Sequence, residues 1–383
     1  MDFSIPEENM EETGRFRAFL EKHLSRRLPE WYDQGAIPGS FFSLMAEQGW
    51  FSFSYKGDRI TKHPALREAL LAEELAKISP GTAVAILAHQ DLGLAGLWLF
   101  GSPLLQKTYG PSAVLGKTLL CIGNTESGAG SDSANIVMEA KKVDGGWILN
   151  GAKAYVTNGF ISDCAILTAV SDPESERNRR ISMFMVDLHS KGVSRSKLNK
   201  QVWVPSDLTR IQCLNVFVPE DHLVGERGRG LQQVLSIFTH SRVVISALTL
   251  GTALGAFELA VAHGKKRKIF GRSILDQQGK AFELADLFSR LEAARVMLLK
   301  ACWAMDQGQD FRLESSLAKY LAVQVARDTT VWAADLFGAA SVIREHPIHK
   351  FPMDAWASSL GEGTQDVQKL VIFREVMKRN SDK

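Results

Sequence analysis

The sequence has 383 residues, which is too long for one ordinary core and predicts two or three packed domains. Hydrophobic residues make up 45% of the chain and charged residues 23%, the balance of a soluble globular protein. The formal net charge is only +2, so the chain lacks the basic character typical of nucleic-acid-binding proteins, and we expect no nucleic-acid partner.

The cysteines and the N-terminal residues indicate the cellular compartment in which the protein is expected. The four cysteines are far apart and form no CxxC pair, which argues against a disulfide framework and against a zinc site. We therefore expect no metal and a reducing cytoplasm. The N-terminal stretch MDFSIPEENMEETGRF is acidic and has the features of neither a secretory signal nor a transit peptide. No run of eighteen apolar residues occurs, so we expect no membrane span.

The first third of the chain has the periodicity of helices. Apolar residues recur at helical spacing in 65–78 and again from about Thr82 to Phe100, with a Ser-Pro-Gly break between the two stretches. Strand-like alternation is rare here. We predict an N-terminal helical domain over residues 1–117.

The pattern changes near Lys117. Short segments rich in β-branched residues follow, with Gly, Asn and Asp between them. Asp144-Gly145-Gly146, directly before the segment WILNG, predicts a hairpin turn. We predict a central antiparallel β domain over residues 118–223.

Helical periodicity returns near Gly228 and continues to the end of the chain. Three long apolar-periodic stretches and a shorter last one predict a C-terminal four-helix bundle over residues 224–383. The predicted fold class is therefore α+β, in the order helical, β, helical.

A nucleotide-binding Rossmann unit is excluded by its own requirements. Its fingerprint, GxGxxG, must follow a strand and open a helix. The segment from Gly128 to Ser131 has only the first half of that fingerprint and lies between β segments. The chain could still bind a flavin by another route.

Two glycine-rich segments of the β domain are candidate ligand loops. The stretch TESGAGSD (125–132) is either a simple turn between strands or a loop with exposed backbone donors. The stretch NGAKAYVTNG (150–159) places an aromatic and a hydroxyl residue between two Asn-Gly turns. Such a strand suits the stacking of a planar ring and a hydrogen bond to it.

A third candidate is the segment LGEGT (360–364). Glu362 lies between two glycines, just before a helix that starts near Gln365. Glycines allow close approach of backbone and ligand. The alternative is an ordinary acidic residue that favours the dipole at a helix N-terminus.

Taken in this order, these motifs resemble those of the acyl-CoA dehydrogenases over essentially the whole chain. TESGAGSD is similar to that family's TEPGAGSD loop, with Ser127 where proline is usual. NGAKAYVTNG is similar to its NGxKxxxTNG strand, with Tyr155 where tryptophan is common. LGEGTQDVQKLVIFRE resembles the region that carries the catalytic glutamate, and RKIFGRSI (267–274) resembles the RxxFG motif. Four motifs in the right order make chance resemblance very improbable.

The resemblance implies FAD as the cofactor. Thr125 and Thr157 would hydrogen-bond the isoalloxazine ring, and Tyr155 would lie against it. Arg267 and Phe270 would contact FAD, with Arg267 pairing to the pyrophosphate from a neighbouring subunit. Thr364 is counted with the same group.

The resemblance also implies a substrate site and partners. Ser131 would contact the CoA portion, Arg242 would lie near the nucleotide end of CoA, and Gly363 would lie against the substrate. The family is usually a homotetramer that passes electrons to an electron-transferring flavoprotein, and we expect a bacterial, cytoplasmic member.

The chemistry implied for Glu362 is physically reasonable. The α-proton of a thioester is weakly acidic, and hydrogen bonds to the carbonyl oxygen stabilise the developing enolate. Glu362 would remove that proton as general base, while the β-hydride moves to flavin N5. A dry site raises the pKa of a glutamate and makes it a better base near neutral pH.

One segment departs from the family pattern. Where the family often has Gln-x-x-Gly-Gly, the chain has Asp335 to Ala339 with the sequence DLFGA. An acid and an alanine replace a glutamine and a glycine. This puts in doubt the FAD contact between subunits that the segment implies.

A second carboxylate, Asp91, lies in the helix that walls the acyl pocket of this family. One interpretation is local pairing, with His89 or a backbone amide, because an unpaired buried charge is costly. The other is a second base facing an allylic ring carbon, as in the cyclohex-1-ene-1-carboxyl-CoA dehydrogenases that carry an aspartate here. Those enzymes lack the usual glutamate, whereas Glu362 is present. The expected substrate is a small or alicyclic acyl-CoA such as cyclohexanecarboxyl-CoA, with a short or branched chain as the alternative.

Two rival functions share parts of this pattern. An acyl-CoA oxidase or a flavin monooxygenase on the same fold would differ in how oxygen reaches the reduced flavin. A non-catalytic CoA-binding scaffold would have no need of Glu362 between its glycines.

Overall fold

A computed structural model describes residues 4–381, and its first region is helical. The helices are α1 (Glu7–Leu20), α2 (Leu28–Gln34), α3 (Gly39–Glu47), α4 (Ala65–Ile78), α5 (Pro80–Leu87), α6 (Ala95–Phe100) and α7 (Pro103–Ala113). A short antiparallel hairpin, β1 (Phe53–Lys56) and β2 (Arg59–Lys62), interrupts them. Its turn residues Gly57 and Asp58 have φ of 55° and 67°. The sequence pattern does not predict this hairpin because four-residue strands are too short for a periodic signal.

The predicted helix from Thr82 to Phe100 is one continuous helical run with a π-helical turn, Ala88–Leu94, between α5 and α6. The run begins at the predicted break, where the Ser79 side chain accepts a hydrogen bond from the amide of Thr82 at 3.3 Å. Such π turns are rare and occur often at functional sites. The candidate residue Asp91 lies within this one.

The second region is a β domain, as predicted. Its strands are β3 (Leu120–Gly123), β4 (Glu139–Val143), β5 (Gly146–Thr157), β6 (Cys164–Val170), β7 (Ile181–Asp187), β8 (Val193–Lys197), β9 (Leu208–Pro219) and β10 (Leu223–Val224). They pair in the order β10-β7-β6-β4-β5-β9-β8, with β3 added on β6. The predicted hairpin turn joins β4 to β5 at Gly145, whose φ is 71°. The sheet is mainly antiparallel, but β3 and β4 each pair with β6 in parallel, which the prediction missed.

The third region is the predicted helical bundle. It contains α8 (Gly230–Lys266), α9 (Gln278–Asp306), α10 (Arg312–Phe337), α11 (Phe351–Ala357) and α12 (Gln365–Ser381), with a small hairpin of β11 (Lys268–Ile269) and β12 (Arg272–Ser273) after α8. Small residues of α8 let α4 approach closely: a Cβ at Gly251 would lie 2.2 Å from the Glu73 carbonyl oxygen, and one at Gly255 2.3 Å from that of Lys77. The N-terminal region is therefore packed directly on the bundle.

Two helical stretches, Pro80–Phe100 and Gly230–Lys266, are long and apolar enough, by length and composition alone, to cross a bilayer. Their most apolar windows are 83% and 78% buried inside the protein. Core helices have the same properties, and this burial accounts for the apolar composition of both stretches.

The three regions meet beside the segment that carries Glu362. The amide of Trp203, in the loop between β8 and β9, donates to the carboxylate of Asp354 in α11 at 2.6 Å. The side chain of Asn158, at the end of β5, donates to the carbonyl of Ala85 in α5 at 2.6 Å. Polar contacts thus join the β domain to both helical regions.

Candidate active site

Glu362 lies on a tight turn between α11 and α12. Its φ is 48°, and that of the next residue, Gly363, is 94°. Residues other than glycine rarely adopt this left-handed backbone conformation. Glu362 is therefore held in a conformation that costs free energy. Strain of this kind persists only where the surrounding structure enforces it.

Three side chains from other positions hold the turn through its carbonyl groups. Lys319 of α10 donates to the carbonyl of Gly361 and, at 2.6 Å, to that of Gly363. The Gln368 amide donates to the carbonyl oxygens of Glu362 at 3.2 Å and Gly363 at 2.9 Å. Arg242 of α8 approaches the Glu362 carbonyl with its Nε at 3.4 Å. All these contacts are to the backbone, and within residues 4–381 no protein donor contacts the Glu362 carboxylate, which is free to accept a proton.

The electrostatic surroundings of Glu362 contain opposing effects. Burial raises the pKa of its carboxyl group, while the charges of Lys319 and Arg242 lower it. Burial in turn lowers the pKa of Lys319 to about 8 and that of Arg242 to about 10. The result is a carboxylate with a raised pKa beside two desolvated cations, an arrangement suited to a general base near neutral pH.

Arg242 is buried next to the Glu362 turn. Its side chain is only 5% exposed and also donates to Ser316 Oγ at 3.3 Å. It therefore supports the Glu362 turn, and its contact with the nucleotide end of CoA stays a prediction.

The loop that carries Thr125 is fixed by a buried ion pair. The Lys153 ammonium, fully buried, donates to Glu126 Oε1 at 2.7 Å and to the Asn124 carbonyl at 3.1 Å. The Glu126 carboxylate also accepts the amides of Val137 and Met138, at 2.8 and 3.0 Å. The loop is thus held by its own second residue, which leaves Thr125 at its edge.

The strand β5 brings Tyr155 and Thr157 to the same place. The amide of Ala154 donates to the Thr125 carbonyl at 2.8 Å, which joins the strand to the loop. The register of β5 against β9 shifts between Lys153 and Val156, and Tyr155 within this irregularity has a φ of 57°. The Tyr155 side chain is 61% exposed.

The geometry of this surface fits a flavin ring. An exposed aromatic side chain at Tyr155 lies beside two half-buried threonines, Thr125 and Thr157. In the part of the chain that the structure describes, neither threonine hydroxyl has a hydrogen-bond partner. An aromatic face next to free donors matches a planar ring with polar edges.

Arg267 and Phe270 lie far from this surface. Arg267 follows the last residue of α8, 25 residues after Arg242, which corresponds to about 37 Å along a helix. Phe270, at the tip of the β11–β12 hairpin, has a φ of 48° and is 95% exposed. The structure therefore does not bring them together with Glu362 within one chain.

The remaining predicted residues lie near the Glu362 turn or at the surface of the β domain. Thr364 directly precedes α12, and its Oγ1 accepts the amide of Val367 at 3.4 Å. Gly363 forms part of the turn itself. Ser131 is exposed, and the next residue, Asp132, pairs with Arg177 at 2.6 Å.

Asp91 is buried and paired, but not with His89. The His89 ring bonds instead to the amide of Leu120 and the carbonyl of Ala113, each at 3.1 Å. Asp91 makes a side-chain hydrogen bond with Glu68 of α4, whose carboxylate is bound by the ammonium of Lys62. Burial and the neighbouring Glu68 and Glu362 charges raise the pKa of Asp91 well above its usual range, against the opposing charge of Lys62.

The residues that hold these groups escaped the sequence analysis. Lys319 lies in the helical stretch ESSLAKYLAV, where a single lysine looks like a surface residue. Glu126 and Lys153 lie inside the two motifs, but their spacing gives no sign of an ion pair. Glu68 occupies one position of an amphipathic helix rich in glutamate. The hydrophobic residues on both sides of Lys319 are the only sequence signal that could have indicated its burial.

The comparisons with known proteins agree with this architecture. Models of the N-terminal, middle and C-terminal domains of acyl-CoA dehydrogenases match residues 6–117, 121–213 and 228–377. A probable acyl-CoA dehydrogenase of Mycobacterium tuberculosis, fadE25, is 32% identical over 98% of this chain and 97% of its own.

Solved structures give the same result. Butyryl-CoA dehydrogenase of Megasphaera elsdenii is 28% identical and superposes with a TM-score of 0.93 over 98% of this chain and all of its own. The FAD complex of PigA is 27% identical, with a TM-score of 0.93 over 99% and 100% of the two chains.

The fold and the site define an oxidoreductase with a flavin-binding β domain between two helical domains. The chain belongs to the acyl-CoA dehydrogenase family, and FAD is its cofactor.

Proposed function

We propose that this protein oxidises small acyl-CoA thioesters to enoyl-CoA products, with Glu362 as the base that removes the α-proton. The observation that supports this most directly is the Glu362 carboxylate itself, half-buried and without a protein donor, on a turn whose carbonyls are all held by other side chains. Bound FAD would supply the acceptor for the β-hydride.

The chain's own residues would bind and orient the reactants. Thr125 and Thr157 would hydrogen-bond the flavin ring, and Tyr155 would cover one of its faces. Gly363 and Ser131 would contact the thioester and the CoA portion. Lys319 and Arg242 would keep the base ionised in a site from which the acyl chain excludes water.

Arg267, Phe270 and Thr364 complete the proposed FAD contacts. Because Arg267 and Phe270 lie at the far end of α8, they would act on the FAD of a second copy of the chain. An exposed phenylalanine at a hairpin tip is typical of an interface. The outer face of the bundle has further exposed apolar side chains, among them Phe282, Trp303 and Phe373, which suits the homotetramer that the resemblance implies.

The acyl group would be small. The similarity to butyryl-CoA dehydrogenase of Megasphaera elsdenii supports a short acyl group. Cyclohexanecarboxyl-CoA and short or branched acyl-CoA thioesters are the proposed substrates. We also propose an electron-transferring flavoprotein as acceptor, and the cytoplasm as location, with which the four unpaired, buried cysteines agree.

A second candidate function is 1,4-dehydrogenation of cyclohex-1-ene-1-carboxyl-CoA with Asp91 as base. Its support is that Asp91 lies close enough to Glu362 for the charge of one to raise the pKa of the other. The replacement Asp91→Asn, assayed separately on saturated and unsaturated ring thioesters, tests it. Unchanged rates on every ring substrate would rule out a second base.

The proposed function is tested by flavin bleaching. The purified flavoprotein is mixed anaerobically with a panel of acyl-CoA thioesters, and the loss of flavin absorbance is followed. We expect fast bleaching by at least one short or alicyclic thioester. Reoxidation of the reduced flavin by oxygen and by an electron-transferring flavoprotein then separates a dehydrogenase from an oxidase, while a protein that binds no flavin would favour the scaffold.

A further inference from the structure

A loop of the β domain reaches the turn that carries Glu362. Trp203 lies in this loop, between β8 and β9, and its side chain is half-buried. A Cβ at Gly361, directly before Glu362, would lie 3.9 Å from the indole Cη2 of Trp203. Because neighbouring Cα atoms are about 3.8 Å apart, the edge of the indole is within about 9 Å of the Glu362 Cα. The indole is therefore a neighbour of the candidate base.

The position of Trp203 is fixed through the backbone of the loop. Its amide donates to Asp354 of α11 at 2.6 Å, and its carbonyl accepts from the Lys200 ammonium at 2.8 Å. The carbonyl oxygen of Val204 packs so closely on α5 that a Cβ at Gly81 would lie 2.3 Å from it. Trp203 has a φ of 52°, a strained conformation that persists only where the surrounding structure enforces it. The indole is thus presented from a rigid part of the loop.

Gly361 leaves open space beside the indole. Its φ lies outside the left-handed region, unlike that of Gly363, so the backbone conformation does not require glycine here. Apart from the chain neighbours of Gly361, Cη2 of Trp203 is the only heavy atom of the described residues within 4 Å of a Cβ at this position. The glycine therefore supplies room between the turn and the indole.

The surface next to this gap is apolar. The indole packs against a core of buried side chains from α1, α3, α4, α5 and α8, among them Val84 and Val244. Leu92 of the π turn and Ile161, after β5, are half-buried against the same core. A hydrocarbon group in contact with the indole would remove apolar surface from water on both sides, which is favourable.

We propose that Trp203 determines the size of the acyl group that this protein accepts, with the gap at Gly361 as the space in which that group lies against the indole. The inference rests on the proposed function, because it needs an acyl thioester whose α-carbon lies at the Glu362 carboxylate. A chain that extends from that carbon past Gly361 meets the ring, which the loop holds in place. Short chains and small rings fit this space, whereas long straight chains do not.

The test compares acyl chains of different length on the holoenzyme. The values of kcat/KM are measured for butyryl-CoA, hexanoyl-CoA and octanoyl-CoA. We expect the wild type to prefer butyryl-CoA over octanoyl-CoA by about tenfold or more, because even one methylene in an apolar pocket changes kcat/KM by about tenfold or more. The ratio between two substrates is the measured quantity, since a loss of stability or of flavin lowers both values and leaves their ratio unchanged.

Two replacements at Trp203 and one at Gly361 should move these ratios in opposite directions. Trp203→Ala keeps the backbone contacts of the loop and should raise the octanoyl-to-butyryl ratio by about tenfold or more. The milder Trp203→Phe should raise it several-fold, which keeps the test decisive if the alanine variant fails to fold. Gly361→Ala fills the gap and should lower the hexanoyl-to-butyryl ratio several-fold. Phe217→Ala, which removes a half-exposed aromatic side chain of β9, is the matched control and should change neither ratio.

The outcomes separate the two proposals. If the wild type oxidises octanoyl-CoA as well as butyryl-CoA, or if neither replacement of Trp203 changes the ratio, Trp203 does not limit the acyl group, while the proposed function stands. An unchanged hexanoyl-to-butyryl ratio in Gly361→Ala would show that the gap is not part of the acyl site. If no thioester bleaches the flavin of the wild type, the proposed function itself fails.

Discussion

Two carboxylates in this protein, Glu362 and Asp91, are close enough for the charge of Glu362 to raise the pKa of Asp91, but they lie in opposite surroundings. Glu362 has cations beside it and no donor on its carboxylate. Asp91 shares a proton with Glu68, and the nearest cation, Lys62, is bound by that neighbour. Both groups have a raised pKa, yet only the first is arranged to accept a proton from a substrate.

The comparison shows that burial alone does not make a base. Burial raises the pKa of both groups, so the partners decide what each can do. Where the partners bond to the backbone and leave the carboxylate free, the group can act on a ligand. Where a partner is bonded to the carboxylate itself, the group only lines the pocket and cannot act as a base. Separating the roles of two neighbouring acids by environment is a general device of enzymes.

The largest effect is expected from Glu362→Gln. If Glu362 is the base, loss of the carboxylate should slow substrate-dependent flavin bleaching about 10²–10⁴-fold while FAD stays bound. Stopped-flow absorbance measures the rate. The control is Glu345→Gln, at an exposed position outside the site, which should keep the wild-type rate. If the Glu362→Gln variant bleached the flavin at the normal rate, Glu362 would not be the base, and the proposed difference in role between Glu362 and Asp91 would be wrong.

The next largest effect is on stability. Lys62→Met leaves the Glu68 carboxylate buried and without its cation, which should lower the free energy of unfolding by about 3–5 kcal/mol. Denaturant unfolding of both proteins measures this. Lys280→Met, which removes the exposed pair with Glu283, should cost less than about 1 kcal/mol. Equal effects of the two replacements would show that Lys62 does not balance a buried charge.

A smaller effect, with a clear direction, is expected from Lys319→Met. The carbonyls of Gly361 and Gly363 would lose their donor, at about 1–3 kcal/mol of stability. The charge of Lys319 lowers the pKa of Glu362, so its removal raises that pKa. Because the base must be ionised, the acid limb of the kcat profile should move to higher pH. Lys319→Arg, which keeps the charge, should move it less; a profile unchanged in both variants would contradict the positioning role.

Much of the fold could be predicted from the sequence because its signals are local. The Ser-Pro-Gly sequence that separates α4 from α5, the Gly145 turn and the long periodic helices each depend on neighbouring residues. The turn at Glu362 could be predicted as well, from the two glycines that flank it, whereas its role as the base follows from the resemblance and stays a prediction. The parallel pairing of β3 with β6 could not, since the strands are 40 residues apart and no periodic pattern encodes their register.

The supporting residues of the site could not be predicted for the same reason. Lys319 and the carbonyl that it binds are 42 residues apart, and Glu68 and Asp91 lie on different helices. The contacts that these residues make depend on which helix faces lie opposite each other after folding. The sequence indicates the candidate reacting groups. The surroundings that make one acid a base and the other a lining residue arise from tertiary packing.

The smallest effect is expected from Asp91→Asn. This replacement tests whether Asp91, unlike Glu362, is held as a protonated partner of its neighbour. Asp91 is hydrogen-bonded to Glu68, and an asparagine amide can donate in its place, so stability below the usual aspartate pKa of about 4 should change by less than about 1 kcal/mol. Because the folded-state pKa is raised, the bound proton stabilises the wild type most below the usual aspartate pKa. That stabilisation is lost as pH rises through the folded-state value. Asparagine does not titrate, so the wild type should lose stability relative to the variant as the pH rises above the usual aspartate pKa, measured by denaturant unfolding at each pH. A variant that instead became less stable than the wild type with rising pH would mean that Asp91 is ionised in the folded protein, and would return it to the list of candidate bases.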